Sequence, residues 1–410
     1  MDGRFLAWAA GLAVLATVLS LLAAFYTRPP NLLMDENYYY PLAEQITRGA
    51  YPDGYIIRPP LYPLYLAAIF GVFGVGFMPV LVISSLLRGG LVLGVALLAK
   101  RLVSRPAGLA AAALLAVYPM LIFTYTRFVS EIVYIPLFVL SFWLIERALE
   151  SERTGDAIVA GAASGLAALA RSTSLFYTIA VAVWIAGRKS RHGRFSRRNL
   201  ATSGLLVAAM LAVVSPWTVR NAVVHRSLIL VDNSSAYNLW LITSGKDVKE
   251  ATREWESWGG QGERQSAGYA RWLEHMRDDP GFHIKRMATV IPKLFTPGGQ
   301  PDTYALSTVV RGDSARENVP LRRLLRVLAP AVFWLAMAGG LIGLALFERL
   351  PARRNLYVLT VAYFILLHAA TLARPRFLLP MNAVLAVYAG ALIAVALSKL
   401  GSTRRGRPSP

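Results

Sequence analysis

A polytopic, all-α membrane fold is predicted by three features of this sequence: long apolar blocks, few charges, and an uneven distribution of those charges between the connecting segments. The chain has 410 residues, 55% of them hydrophobic and 16% charged, with a mean hydropathy of +0.47. A soluble domain is about a quarter charged. Here each apolar block approaches the ~20 residues that cross a hydrocarbon core about 30 Å thick.

Taken in order, the first block runs from Phe5 to Tyr26, with Arg4 the one basic residue before it. It exceeds the ~7–15 apolar residues of a cleaved signal peptide, so it is expected to remain as the first span, 5–27. Further spans are expected at 78–99, 106–124, 129–147, 156–171, 173–187, 200–217, 327–347, 355–373 and 377–398, about ten in all. Pro59, Pro60, Pro63, Gly71 and Gly74 punctuate the apolar stretch 59–75. It reads as an interfacial helix rather than a span.

Basic residues orient the chain. With the N-terminus inside, the cytoplasmic segments carry Arg4, Lys100 to Arg105, Arg147 and Arg153, Arg188 to Arg198, Arg349 to Arg354, and Lys399 to Arg407. The short outer hairpins carry Arg127, Arg171, Arg374 and Arg376. This positive-inside bias places both termini in the cytoplasm. The formal net charge of +20 is thus a topology signal, and no nucleic-acid partner is expected. The absence of cysteine excludes disulfides, thiolate metal sites and cysteine nucleophiles.

Four regions follow: an N-terminal transmembrane module, 1–221, with an outer loop at 28–77; an outer loop region, 222–326; C-terminal spans, 327–400; and a disordered cytoplasmic tail, 401–410. Within the long outer loop, Gln265 to Arg277 and Phe282 to Phe295 have helical spacing, so the loop is expected to be mainly helical.

The first outer loop concentrates the chemistry. Asp35 and Glu36 follow a span, with Tyr38 next, Pro41 suited to a helix start and Gly49 to its end. A carboxylate at the edge of a dry cleft can take a proton from a hydroxyl. An ordinary solvated acidic pair is the competing reading, and on spacing alone it is favoured. Glu131 shifts the balance, because it lies at the start of the fourth span on the same expected side, where an acid at membrane depth marks a functional site. Its structural alternative is an ion pair with Arg127, four residues earlier. Arg58, Arg127, Arg171, Arg220, Arg374 and Arg376 all fall at outer span ends, where arginine offers bidentate donors to a lipid phosphate. Singly, each is more often a snorkelling anchor. Arg88, mid-span, is expected to pair with a buried acid. His275 and His283 lack metal-ligand spacing.

These residues resemble the motifs of GT-C membrane glycosyltransferases, in the bacterial branch related to protein O-mannosyltransferases and lipid A aminoarabinose transferases. Asp35-Glu36 with Tyr38 resembles the Asp-Glu motif of that family, and Arg58-Pro59-Pro60-Leu61 its basic-Pro-Pro-Leu element. Glu131 matches its acid at the fourth span. Gly165-Leu166 to Arg171, Pro216-Trp217 to Arg220-Asn221, and Arg374 to Pro380 are similar to later elements.

The resemblance implies an inverting transfer of a sugar from a polyprenyl phosphate to a cell-envelope acceptor (protein, glycolipid or polysaccharide) at the outer face of a bacterial inner membrane. Asp35 would be the general base and Glu131 its assistant. Glu36, Tyr38, Arg58, Arg127, Arg171, Arg220 and Arg376 would bind substrate. Some relatives hold a divalent metal at the first-loop acid and others none, so the cofactor stays open. The competing function is a transporter or flippase of lipid-linked saccharides. That reading would favour repeated halves and midplane polar residues, and the acids here sit at the edge. A polymerase of such saccharides is a variant of the same chemistry.

Overall fold

The computed structural model describes residues 2–27, 35–52, 57–151, 153–188, 196–296, 308–311 and 314–405, with no side-chain description for 27, 308–311, 314–317 and 401–405. Helix α1 (Asp2–Thr27) leads to two short helices, α2 (Glu36–Thr47) and α3 (Leu61–Phe73). The apolar blocks then become α4 (Phe77–Leu102), α5 (Arg105–Ala116), α6 (Pro119–Tyr125), α7 (Glu131–Ser151), α8 (Thr154–Ala170), α9 (Thr173–Gly187) and α10 (Arg197–His225). Four helices lie in the long loop: α11 (Ser234–Ser244), α12 (Val248–Ser257), α13 (Gln261–Asp278) and α14 (Phe282–Leu294). An antiparallel hairpin, β1 (Thr308–Arg311) with β2 (Ser314–Glu317), precedes α15 (Val319–Phe347) and α16 (Pro351–Ala370). A 3-10 turn (Pro375–Leu378) then enters α17 (Leu379–Arg405).

Each predicted span corresponds to a helix or, for 106–124, to the bent pair α5–α6. By length and apolarity six helices can cross a membrane, or seven with that pair, which bends by 59°. The difference from the expected ten has a geometric reason. At 1.5 Å per residue the 17 residues of α8 reach only about 26 Å, and α9 is shorter still, while the 20 residues of α16 open on Arg353-Arg354-Asn355 and fall short in apolarity rather than length. Exposed apolar side chains such as Trp8, Phe25, Leu86, Val183 and Leu346 form the lipid-compatible exterior that a soluble monomer would avoid. The chain is a multi-pass membrane protein. Helix α17 runs to Arg405, into the region expected to be a tail, and residues 406–410 lie outside the described residues.

Small residues let the helices close. A Cβ on Gly165 of α8 would meet the Met210 carbonyl of α10 at 2.9 Å, and one on Gly340 of α15 would meet the Leu385 carbonyl of α17 at 2.7 Å. These are close backbone approaches, as in membrane helix pairs. Fully buried Arg88 corrects one expectation, because among the described residues none of its hydrogen-bond partners is an acid. It donates to the Ala16 carbonyl, to Ser20 Oγ at 3.1 Å, and to the Leu115 and Ala116 carbonyls at 3.0 and 2.7 Å. Those last two carbonyls are left without intrahelical partners where α5 ends, so a buried cation serves as the cap at the α5–α6 break.

Charges gather at opposite ends of the bundle. At one end Asp2 meets Lys100 and Arg105 at 2.7 and 3.0 Å. There Arg353 of α16 is bound by Glu146 and Glu150 of α7 and by Glu348, the last at 3.0 Å. At the other end lie the acids and arginines that the sequence singles out.

Candidate active site

Asp35 sits just before α2, in the segment that follows α1. Its Oδ1 accepts from Arg58 Nη2 at 2.7 Å and its Oδ2 from Arg376 Nη2 at 2.9 Å. Arg58 is delivered by the Pro59-Pro60 turn into α3, and Arg376 by the 3-10 turn that Pro375 opens. Burial by itself would raise the Asp35 pKa, but Arg58 and then Arg376 outweigh it and hold the carboxyl below its ordinary value.

Glu131, the first residue of α7 and 2% exposed, binds Arg171 Nη1 at 2.8 Å and faces Arg376 Nε at 3.3 Å. Its expected alternative partner, Arg127, is not on its helix and points elsewhere: Arg127 Nη2 stands 3.0 Å from Glu36 Oε2. Glu36 also accepts the Phe128 N–H at 2.9 Å. The neighbouring carboxylates 35 and 36 therefore serve different clusters.

Aromatic rings shape the site. Arg58 lies over Tyr38 and Tyr39 at 5.6 and 5.7 Å, and Arg171 over Phe377 at 4.7 Å. Arg220 lies over Tyr51 and Trp217 at 5.2 and 5.0 Å and donates to the Tyr51 carbonyl at 3.4 Å. The Pro216-Trp217 to Asn221 element anchors the following segment, since Trp217 Nε1 donates to the Val231 carbonyl at 2.8 Å and Asn221 Nδ2 to that of Ile229 at 3.1 Å.

Above the arginines, Trp240, Trp255 and Ala251 of the long loop form a small core onto which Ile57 and Leu372 pack. This core joins the α11–α13 region to the chain next to Arg58 and close to Arg376. From α14, Arg286 donates to the Ala369 and Thr371 carbonyls at 2.8 and 2.6 Å, capping α16. His283 Nε2 accepts from Trp272 Nε1 at 2.7 Å, while its Nδ1 has no hydrogen-bond partner among the described residues.

One buried acid escaped the sequence reading. Asp232 ends the apolar run Leu228-Ile229-Leu230-Val231, and burial raises its pKa to about 6. Its signal was available but ordinary. An Asp two residues before a serine forms a local turn, as it does here with Ser234 at 3.0 Å.

Among the described residues no three His, Cys, Asp or Glu side chains gather as metal ligands. Both Asp35 oxygens are taken by arginines, so this arrangement does not match a divalent-metal site.

The family model for dolichyl-phosphate-mannose-protein mannosyltransferase matches residues 57–219, under half of the chain. No curated protein matches. Among solved structures, the archaeal oligosaccharyltransferase AglB from Archaeoglobus fulgidus, in complex with an inhibitory peptide and a dolichol-phosphate, aligns with 98% of this chain and 52% of its own. The identity is 16% and the TM-score 0.54. The same enzyme tethered to an acceptor peptide gives 18% identity and a TM-score of 0.56 over 97% of this chain and 50% of that one. The chain has the GT-C fold. This GT-C chain spans about half the length of the AglB structures it matches. ArnT from Cupriavidus metallidurans, bound to undecaprenyl phosphate, aligns over 98% and 81% of the two chains at 13% identity and a TM-score of 0.42, and the fold assignment does not rest on it.

Proposed function

We propose that this chain is an inverting glycosyltransferase that moves a sugar from a polyprenyl-phosphate donor to a cell-envelope acceptor on the outer face of a bacterial inner membrane. One observation carries the reading: Arg376 joins Asp35 and buried Glu131 into a single cluster with Arg58 and Arg171. The basic residues crowded at the opposite end support an outward orientation. The names of the matched family and of the AglB structures point to lipid-phosphate carriers, as the arginine chemistry does.

The chemistry follows from charge balance. Without a phosphate, the arginines rest on Asp35 and Glu131. A donor phosphate competes for Arg58, Arg171 and Arg376, because a phosphate accepts their forked donors at least as well as a carboxylate does. As the arginines turn to it, Asp35 loses the cations that depress its pKa, while its burial remains, so its affinity for a proton rises. The acceptor hydroxyl then attacks the anomeric carbon from the face opposite the phosphate, and the bond from that carbon to the phosphate oxygen breaks. The hydroxyl proton passes to Asp35, and the polyprenyl phosphate leaves with the arginines neutralising it. Fixed cations in a water-poor site supply the largest rate term. Glu131 holds Arg171 and Arg376 in place between turnovers.

The test is reconstitution with a labelled polyprenyl-phosphate sugar and candidate acceptors, comparing wild type with Asp35→Asn. Transfer at full rate in the variant sinks Asp35 as base. Lipid crossing the bilayer without transfer favours a flippase. A tag near Gly260 that is protected inside spheroplasts reverses the orientation.

A further inference from the structure

Two buried polar atoms beside this cluster have no role in the transfer step. Asp232 is 6% exposed. Its Oδ1 accepts from the Ser234 N–H at 3.0 Å and Oγ at 2.7 Å, the Ser172 hydroxyl lies close enough to lower its pKa, and its Oδ2 has no partner of hydrogen-bonding geometry among the described residues. The buried Tyr51 hydroxyl is in the same condition. Leaving such atoms unmade is costly, and native structures do so where a ligand or water enters.

Their position is fixed by contacts on both sides. Ser234 Oγ lies 3.5 Å from Ser172 Oγ, and Ser172 adjoins Arg171, the partner of Glu131. Trp217 holds the Val231 carbonyl, and the Tyr51 ring packs edge-on against Trp217 at 4.9 Å. Asp232 is electrostatically coupled to Arg58 and to Tyr38, and Tyr51 to Tyr38 and Tyr39. Asp232 and Tyr51 thus flank the Arg58 side of the cluster. A sugar ring needs acceptors for its O–H donors and an aromatic face for its C–H groups. The carboxylate oxygen and the phenol supply the acceptors, beside the Tyr51–Trp217 pair that Arg220 overlies at 5.2 and 5.0 Å.

We infer that Asp232 and Tyr51 form a subsite for the hydroxyls of the sugar carried by the donor lipid, an inference that rests on the donor class proposed above. The donor is favoured over the acceptor by connectivity. Its sugar is bonded directly to the phosphate that Arg58 would hold, so its ring hydroxyls fall within reach of the side chains around Arg58.

The experiment measures equilibrium binding to the full chain in nanodiscs. The probes are polyprenyl phosphate without sugar, and polyprenyl phosphates carrying glucose, mannose or galactose, the tightest of the three serving as the sugar probe. Asp232→Asn and Tyr51→Phe should weaken the sugar probe about tenfold or more, as expected for a lost hydrogen bond to a charged or buried group. Both should bind the sugarless lipid within about twofold of wild type. Equal loss for both lipids, or loss for neither, overturns the subsite. Unchanged lipid binding with a raised KM for the acceptor overturns it in favour of an acceptor role. Wild-type protein that binds neither lipid rejects the donor class itself, and the subsite with it.

Discussion

Arg376 reaches Asp35 across 341 positions of sequence, with Nη2 at 2.9 Å from Oδ2, and turns its Nε to Glu131 at 3.3 Å. One planar guanidinium thereby fixes two acids from different parts of the chain. A lysine keeps the charge but is a point donor that cannot hold that fork. Arg376→Lys should therefore fold and still lower kcat by about a hundredfold, the scale for losing one preorganised donor to a developing charge. Turnover of a labelled polyprenyl-phosphate sugar measures it, and a variant within a factor of about three of wild type would remove Arg376 from the mechanism.

Asp35 and Glu36 are adjacent in sequence and should fail differently. Asp35→Asn removes the proposed base and should cost about a hundredfold or more in kcat. Glu36 is 1% exposed and holds Arg127 together with the Phe128 N–H. Glu36→Gln should instead cost about 2 kcal/mol of stability, the worth of hydrogen bonds to a charged group, and reduce turnover per folded molecule far less than Asp35→Asn. Thermal unfolding and kcat measured on the same preparations separate the two.

How much of this was legible in the sequence depends on what each contact needed. Span positions were readable because crossing a bilayer fixes length and apolarity, and the side of each arginine was readable because short-loop charge sets topology. That placed Asp35, Arg58, Glu131, Arg171 and Arg376 at one end of the bundle. Which acid met which arginine was not readable, since the pairs form across helices far apart in sequence. The Arg127–Glu131 spacing suggested a helical pair, yet α7 begins at Glu131 and leaves Arg127 outside it. Arg88 misled for a related reason. Its partners are carbonyls exposed by a helix break, and backbone groups leave no mark in a residue pattern. Asp232 was hidden because its local turn is what any surface Asp-x-Ser would make, and the residues around it beyond that turn, Ser172 and Arg58, are far away in sequence.

At the opposite end, Arg353 is 11% exposed at its side chain and meets Glu146, Glu150 and Glu348. Glu348 also accepts from the Tyr388 hydroxyl, so the network ties α7, α16 and α17 together. Arg353→Met would leave buried Glu146 and Glu348 without their shared cation and should cost about 3–5 kcal/mol. Glu150 is about a third exposed, and Glu150→Gln should cost no more than about 1 kcal/mol. Equal and small losses in both variants, by thermal unfolding, would show that the network does not hold the helices.

Asp232 gives a prediction with a definite sign. Burial raises its pKa from 3.8 to about 6, so the folded chain carries an ionised group at neutral pH that it would hold more stably as the acid. Wild type therefore gains stability as pH falls through about 6, and the gain is complete once pH is below the unfolded value near 3.8. Asp232→Asn mimics the neutral form. It should raise the stability at pH 7.5 by at most about 3 kcal/mol, at about 1.36 kcal/mol per unit, read as a higher unfolding temperature, and that advantage should shrink as pH is lowered from 7 to 4. An acid retained against stability is one whose charge is used, so the same variant should pair higher stability with weaker binding of the sugar-bearing lipid. A variant that is less stable than wild type at pH 7.5, with the difference unchanged at pH 4.5, would show that Asp232 is a structural anchor of the α11 turn instead.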